Sequence, residues 1–421
     1  NLYNESFWKN IEPYVNTLKV RASWGQLGNQ NISPYSDLEL IPISAGKLNW
    51  IFNYGSTRPV GYTSGPNLVN RNLTWEKSNQ YDLGLDMDLF DYRFKFKFDY
   101  YYKYTKSLLW EVQLPGTVYF HKTMWDNAVE ISNEGVELEA QLDILRNTEV
   151  KWRARFNISR NWNRLEKTYT GVDIDGKYVI GRSANELQVY KDLGYVQNAN
   201  EVPITWDSQG NPRYLGVGGM ANPTRPGMHM LADLNGDGVI ADEDLYFAGS
   251  TLPKAYGGIA SEITWKGFDL NLLFSYSLGR KMINAFRKGA LNFNPMGLGA
   301  VFEDYRNVSF WEKEGDQSDY PVMSSVYYYN KGQFDGLVDS NIETVNFIRL
   351  KQLTVGYNLP AEWARKCYLQ GIRVFFTGEN LFLLSNYSGL DPENVDVMTG
   401  IDNMTTYPTS RKLTLGLTVK F

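Results

Sequence analysis

Side chains alternate strictly between apolar and polar over several long stretches of this chain. Tyr81, Leu83, Leu85, Met87 and Leu89 form one series, and Asp82, Gly84, Asp86 and Asp88 form the other. Successive side chains of a strand point to opposite faces, so the pattern predicts a strand with one apolar and one charged face. After a short turn, Tyr92, Phe94, Phe96, Phe98 and Tyr100 alternate with Arg93, Lys95, Lys97 and Asp99, which predicts a hairpin. The pattern recurs in Val136 to Ile144 against Glu137, Glu139, Gln141 and Asp143, in Val150 to Ile158 against Lys151, Arg153, Arg155 and Asn157, and in Phe268 to Leu278. Further strands are expected near 15–27, 254–266, 344–359, 370–384 and 409–421, making ten. Within 346–357 the apolar phase slips between Ile348, Leu350 and Leu353, Val355, Tyr357, as at a bulge or the edge of a membrane.

The connections alternate in length. Short turns are expected near 90–92, 145–149 and 266–268, with a medium one at 360–369 holding Pro360. Long loops are expected at about 28–78, 106–131, 163–253, 281–343 and 385–408. Short turns at one end and long loops at the other are the pattern of an outer-membrane barrel, with the short turns periplasmic. Strands of at least ~9–11 residues suffice to cross the bilayer. The fold class expected is therefore all-β, a transmembrane antiparallel β-barrel. A soluble sandwich, the alternative, would seldom sort its loops so consistently.

Composition agrees. Aromatic residues make up 15 % of the chain, with Tyr 29, Phe 21 and Trp 12, as interfacial aromatic girdles require. No stretch reaches the ~18 apolar residues of a membrane helix. A formal charge of −5 argues against a nucleic-acid partner. The single Cys367 closes no disulfide within the chain, and two His, His121 and His229, give little basis for a zinc site or a His-based triad. The start, Asn1-Leu2-Tyr3-Asn4, has neither an initiator Met nor a signal peptide, so a segment upstream is expected.

Charges on the polar faces favour structural ladders over a ligand site. If Asp88 pairs with Arg93, Asp86 lies opposite Lys95; likewise Asp143 would face Lys151 and Glu139 would face Arg155. Such pairs contribute roughly 0.2–1 kcal/mol each and help fix register. Phe94, Phe96 and Phe98 are expected to face lipid. Loop aromatics such as Trp50, Trp206, Tyr214, Trp311 and Tyr327-Tyr328-Tyr329 are the better candidates for ligand contact.

One local motif is sharp. Residues 233–244 match the calcium loop in which positions 1, 3, 5, 7 and 12 supply oxygens. Asp233, Asn235 and Asp237 would ligate Ca²⁺ through side chains, Val239 through its carbonyl, and Asp244 would close the site where a bidentate Glu is usual. Gly238 stands where the loop turns sharply. The bland alternative is an acidic Asx/Gly turn without an ion. The expected role is stiffening of an external loop.

The chain stops on Leu413, Leu415, Leu417, Val419 and Phe421, alternating with polar residues. A terminal Phe closing such a strand is characteristic of outer-membrane barrels, so Leu417, Val419 and Phe421 are the candidate insertion signal. The native end is expected here, and the missing part on the N-terminal side.

Several segments together resemble the SusC-like (RagA-type) branch of the TonB-dependent transporters. They are Leu18-Lys19-Val20-Arg21-Ala22-Ser23-Trp24-Gly25, Ser132-Asn133-Glu134-Gly135-Val136-Glu137, the Asp-x-Asn-Gly-Asp-Gly turn, and Pro253-Lys254 with Gly257-Gly258. Phe347-Ile348-Arg349-Leu350-Lys351, Gly378-Glu379-Asn380-Leu381, Gly389-Leu390-Asp391-Pro392-Glu393 and Tyr407-Pro408 follow in order. The resemblance implies the C-terminal part of a 22-stranded barrel, with a plug and about twelve strands on an N-terminal part of the same barrel. It implies uptake of oligosaccharides or oligopeptides, driven by the TonB complex through the plug. A SusD-like surface lipoprotein would serve as lid, outer-membrane lipid would surround the barrel, and a dimer of such transporter–lid pairs is a further implication. A passive porin is the nearest alternative. An outer-membrane hydrolase would need a nucleophile–base constellation that two His and no G-x-S-x-G element do not suggest.

Overall fold

The computed structural model describes residues 5, 8, 11, 13–30, 32, 38, 67–114, 123–174, 178–206, 209–215, 224–284, 309–318, 321–322, 337–366, 368–402 and 407–421. Ten long strands form one antiparallel sheet: β1 (Val15–Asn29), β3 (Glu76–Leu89), β4 (Phe94–Gln113), β5 (Thr123–Leu145), β6 (Val150–Thr168), β13 (Ala255–Trp265), β14 (Phe268–Ile283), β15 (Ile342–Asn358), β16 (Gly371–Ser385) and β17 (Lys412–Lys420). They pair strictly in chain order, and β2 (Asn67–Leu68) adds to the start of β5 in parallel. The ten strands expected from alternation are the ten observed. Short strands β7 (Glu186–Tyr190), β8 (Asp192–Tyr195), β9 (Ile204–Trp206), β10 (Pro212–Tyr214), β11 (His229–Leu231) and β12 (Leu245–Ser250) form three separate pairs in the long connection between β6 and β13. One short helix, Ala361–Lys366, fills the medium turn after Pro360.

Several strands run further than the alternation predicts. The segment expected as a loop at 106–131 is mostly ladder, since β4 reaches Gln113 and β5 begins at Thr123. The register shifts where Ser107 takes a left-handed φ of 56°. That bulge breaks the period of two and hides the continuing strands from a reading based on strict alternation. The phase slip within 346–357 is likewise a bulge. Leu350 and Gln352 bracket a register shift, so Lys351 is the extra residue that keeps Ile348, Leu350, Leu353 and Val355 on one face.

The expected cross-strand partners are displaced by two residues. Asp88 lies opposite Lys95 and Asp86 opposite Lys97, while Asp143 lies opposite Arg153 and Glu139 opposite Asn157. The first hairpin closes through Phe90, Asp91 and Tyr92, all left-handed at φ 53°, 57° and 58°, so Arg93 belongs to the turn and not to the ladder. Such backbone is uncommon for residues with a side chain. Here it is tied down: Arg146 donates to the Asp91 carbonyl at 2.5 Å, and Tyr92 N–H donates to Asn16 Oδ1 at 3.0 Å. A slip of two preserves the faces, so the division into apolar and charged sides is unaffected.

The hydrophobic core lies in an unusual place for a sheet protein. All four clusters of buried apolar side chains among the described residues sit at the loop ends of the strands or within the loops. The middle of the sheet has none. Its apolar face stays uncovered, with Leu413, Leu415 and Leu417 of β17 67 %, 78 % and 65 % exposed. At the short-turn end, Trp265 stacks on Phe268 at 6.5 Å and Phe268 meets Tyr357 at 4.3 Å, a band of rings of the kind found at a membrane interface.

Candidate functional site

The polar face of the sheet is held by side chains that reach over a neighbouring strand. Arg21 of β1 donates to Asp86 at 2.9 and 3.0 Å and reaches Asp99 of β4 at 2.8 Å, passing over Gly84 of β3. A Cβ at Gly84 would lie 2.7 Å from the Arg21 guanidinium carbon and 2.4 Å from Asp99 Oδ1. Arg373 of β16 bridges to Asp269 of β14 at 2.7 Å over Gly356 of β15 in the same way. Tyr101 of β4 crosses Gly135 of β5, and its hydroxyl donates to Asn161 of β6 at 2.8 Å. These contacts give a physical reason for the Arg in Leu-Lys-Val-Arg and the Gly in Ser-Asn-Glu-Gly. Arg153 with Asp143 at 2.6 Å, Arg155 with Glu262 at 3.0 Å and Lys97 with Glu139 at 3.7 Å complete the ladder. Most of these charges are thus held in structure, but largely by other partners than those expected: Asp86 by Arg21, Glu139 by Lys97, Arg155 by Glu262 and Asp143 by Arg153, while Asp88 and Lys95 face each other without an ion pair among the described residues.

Above the ladder, the loop after β16 folds inward and is pinned to β15. Arg349 and Asp391 are both buried and in direct contact, and Arg349 Nε lies 2.8 Å from Glu393. Lys351 reaches the other Glu393 oxygen at 2.7 Å. Burial alone would raise the Asp391 carboxyl. The N–H groups of Glu393 and Thr409, at 3.0 and 3.1 Å, and the Arg349 guanidinium instead hold it below the usual carboxylate range. The segments Phe-Ile-Arg-Leu-Lys and Gly-Leu-Asp-Pro-Glu are thus two halves of one clamp, which neither shows by itself. On β14, the guanidinium of Arg280 is buried, with Nε and Nη2 unpaired among the described residues.

The long connection between β6 and β13 builds a small platform at the loop end. It docks through a bridge of Tyr190 to Val338 and by packing Leu187 and Val189 on Ile283 of β14. Asp339 ties it together: it accepts from Lys191 at 2.7 Å, from the Tyr246 hydroxyl at 2.7 Å and from Asp192 N–H at 2.9 Å. Burial, with that bond to Asp339, pushes the Tyr246 phenol up to about 12. Asp192 accepts from both His229 Nδ1 at 2.9 Å and the Ser340 hydroxyl at 2.6 Å. Burial would raise its carboxyl too, but these partners, with His229 first, keep it low. Ser340 and His229 therefore share one carboxylate and are not joined to each other as a nucleophile and base.

The five residues of the calcium-type motif fall in one turn of this platform. Asp233 accepts N–H bonds from Gly236 at 2.7 Å and Gly238 at 2.8 Å, Asn235 accepts from Asp237 at 2.9 Å, and Asp237 accepts from Val239 at 2.8 Å. Asp244 is fully buried and accepts from Leu234 at 2.8 Å and Ala241 at 2.9 Å. Gly238 has φ +80°, and a Cβ there would stand 2.1 Å from Thr205, so the turn also packs on the β9 hairpin. Among the described residues, no group of three or more His, Cys, Asp or Glu is gathered around a common point.

Leu417 and Val419 lie on the apolar face of β17, opposite Val374 and Ile372, and Phe421 follows the last strand residue. Of the loop aromatics, Trp206 stands exposed on β9. Trp311 is buried, its indole N–H donating to Gln197 at 3.1 Å, which makes it part of the loop packing. The side chain of Tyr214, and Trp50, Tyr327, Tyr328, Tyr329 and His121 altogether, lie outside the described residues.

A sequence model of the family described as TonB dependent receptor-like, beta-barrel, matches residues 8–238. Among curated proteins, the TonB-dependent receptor P3 of Formosa agariphila is 29 % identical over 435 residues, spanning 100 % of this chain and 41 % of that protein. The TonB-dependent receptor SusC of Bacteroides thetaiotaomicron is 29 % identical over 426 residues, spanning 99 % of this chain and 39 % of that protein. Among solved structures, the RagAB peptide transporter superposes with a TM-score of 0.71 at 22 % identity, over 100 % of this chain and 42 % of that one. The RagAB peptide importer in its open-open state gives 0.72 at 20 % identity, with the same coverage. At these identities the superpositions bear on the fold. The chain spans about 41 % of the length of the relatives it matches.

Proposed function

The chain belongs to the TonB-dependent receptor family, and from that premise we propose that it forms part of the wall of an active nutrient importer in a Gram-negative outer membrane. The cargo would be an oligosaccharide or an oligopeptide, taken up by TonB-dependent transport under a SusD-like surface lipoprotein. One observation carries this reading. Ten strands in chain order present an uncovered apolar face to one side and a cross-braced charged face to the other, and folded loops gather at one end only. An outer-membrane importer needs that combination: lipid on one side, a hydrated lumen on the other, and a structured mouth. β1 and β17 each keep one edge unpaired in the described sheet, so further strands of the same barrel are proposed to close the wall.

The reading is tested in cells producing the whole receptor. Uptake of the cargo is expected to stop when the TonB complex is deleted, and a lipoprotein encoded beside the receptor is expected to co-purify with it. Uptake that continues without TonB would make the barrel a passive pore.

Two local proposals accompany it. Leu417, Val419 and Phe421 are proposed as the insertion signal, supported by the place of Leu417 and Val419 on the apolar face of β17. Deleting Phe421 is expected to lower the amount of receptor in the outer membrane several-fold; equal surface levels would contradict this. Asp233, Asn235, Asp237, Val239 and Asp244 are proposed to take up Ca²⁺. Each carboxylate or amide oxygen that accepts an N–H keeps a further lone pair for a hard cation, although the oxygens must turn toward a common centre. Calorimetry on the whole receptor should show Ca²⁺ binding that Asp233→Ala/Asp237→Ala removes. Identical heats for both proteins would leave a self-satisfied turn.

A further inference from the structure

The apolar face of the sheet changes character toward the loop end. From Leu89, Phe94, Leu142 and Ala154 up to Leu85, Phe98, Leu138 and Ile158, the register brings no charged side chain of β3 to β6 to this face. Rings follow. Trp24, Tyr81 and Trp162 are exposed there, and Tyr102 stacks on Tyr104 at 6.4 Å. With the rings of the short-turn end they give the face two aromatic belts, as at the two interfaces of a membrane. On these strands charge returns only at the second belt and beyond it.

Strand parity carries Lys77, Lys106, Arg160 and Arg164 outward with the rings. Lys77 is in step with Tyr81 and Leu83, Lys106 with Tyr102 and Tyr104, and Arg160 and Arg164 with Phe156 and Ile158, and no register shift intervenes. The side chains agree. Lys106 Nζ lies 5.4 Å from the centre of the Tyr104 ring, and the Arg160 guanidinium lies over Trp162 at 4.6 Å. All four cations are exposed. Lys77 and Lys106 stand directly opposite each other in the ladder, which costs stability unless an anion offsets them. Neither they nor Arg160 makes an ion pair among the described residues, and Arg164 reaches only Glu166, at 3.9 Å. The acids of this strip are engaged in the sheet. Glu130 accepts from the Tyr104 hydroxyl at 2.5 Å and faces Lys167, Glu134 accepts from Tyr100 at 3.1 Å, and Glu166 accepts from Ser132 at 2.5 Å. Glu111 lies farther from the belt, past the bulge at Ser107. The strip at the belt therefore keeps a net positive charge.

We propose that this outward strip holds the phosphorylated headgroup of a glycolipid in the outer leaflet of the membrane. The proposal rests on the reading of the sheet as an outer-membrane wall, in which the short turns are periplasmic and the loop end lies at the cell exterior. Cations that leave the wall at an aromatic belt meet headgroup phosphates, to which Lys offers a point charge and Arg a planar fork of N–H donors. The cations form two places: Lys77 with Lys106 on β3 and β4, and Arg160 with Arg164 on β6, two strands away from Lys106. Two separated places suit a headgroup with two phosphates better than a lipid with one. Stacking on Trp162 holds the Arg160 guanidinium at the belt, where it meets the headgroup and not the acyl chains.

The test uses the whole receptor in a neutral detergent, with native mass spectrometry reading the lipid retained. The probes are lipid A bearing two phosphates, the same lipid dephosphorylated, phosphatidylglycerol, and inorganic phosphate. The doubly phosphorylated lipid is expected to stay bound at concentrations where the other three are lost. Each cation removed should weaken it about fivefold, the worth of one basic side chain at an anionic membrane surface. Lys77→Gln/Lys106→Gln should therefore lose more than Arg160→Gln, and the triple variant most. These are exposed changes, and heat-modifiable mobility checks that each variant assembles. Lys95→Gln, on the opposite face of β4, should leave binding unchanged. Equal retention of the dephosphorylated lipid or of phosphatidylglycerol, binding of phosphate as tight as that of the lipid, a loss in Lys95→Gln matching that in Lys77→Gln/Lys106→Gln, or retention unchanged in the triple variant would overturn the proposal. The two readings fail separately. A receptor missing from the outer membrane sinks the wall, whereas one correctly placed that keeps its lipid despite all three substitutions sinks this site alone.

Discussion

Gly135→Val is expected to cut the yield of assembled receptor severely, and Tyr101→Ala introduced alongside it is expected to restore much of that yield. Gly135 is buried beneath the Tyr101 ring, and a Cβ there would lie 2.6 Å from both the ring carbon Cζ and the hydroxyl oxygen. Tyr101 cannot simply swing away, because its hydroxyl donates to Asn161 one strand further on. Overpacking of this kind costs about 1–3 kcal/mol, and loss of the hydrogen bond adds ~1 kcal/mol. The double variant removes the clash while giving up the bond, so its recovery separates the two contributions. Heat-modifiable mobility of the whole receptor is a direct readout of barrel assembly. A single valine variant that assembles like the native protein would refute the idea that this glycine makes room for a side chain bracing three strands.

Arg349→Met is expected to release the loop after β16 from the inside of the sheet. It would leave Asp391, 2 % exposed, without its cationic partner and with only the N–H groups of Glu393 and Thr409. Breaking a buried ion pair from one side costs about 3–5 kcal/mol, because the remaining charge stays desolvated. Replacing both partners with apolar residues, Arg349→Met/Asp391→Leu, should recover most of the loss. Hydrogen exchange over 386–402 is the measure. Fast exchange is expected in the single variant and slower exchange in the double. Native-like protection in the single variant would mean that the loop is held by something other than the clamp.

What could be read in the sequence followed from one rule of strand geometry. Leu83 to Leu89 and Phe94 to Tyr100 announce two faces because nothing interrupts the period of two there. Beyond Thr105 the bulge at Ser107 resets the phase, and the end of β4 and the start of β5 cease to look like strand. Register was out of reach for a related reason. It depends on a turn of three left-handed residues with side chains, which Arg146 and Asn16 stabilise from other parts of the chain. The platform of β7 to β12 was invisible because its strands are 3–6 residues long, too short to show a period. In the candidate sites, local spacing exposed the turn at 233–244, since its ligand-type residues lie within one motif. Contacts such as Arg349 with Asp391, 42 residues apart, have no local spacing to reveal them.

The central claim is that this sheet is a membrane wall with lipid on its apolar face and a hydrated lumen on its charged face. It is tested most directly by a fluorophore placed at single cysteines along β4 and β5, in a whole receptor whose Cys367 has been replaced, reconstituted in liposomes. The positions are Lys95→Cys, Phe96→Cys, Lys97→Cys, Phe98→Cys, Leu138→Cys and Glu139→Cys. Brominated acyl chains are predicted to quench the label at 96, 98 and 138 and to spare it at 95, 97 and 139, with aqueous iodide giving the opposite pattern. Quenching by brominated lipid without a period of two, or equally at both sets of positions, would contradict the account.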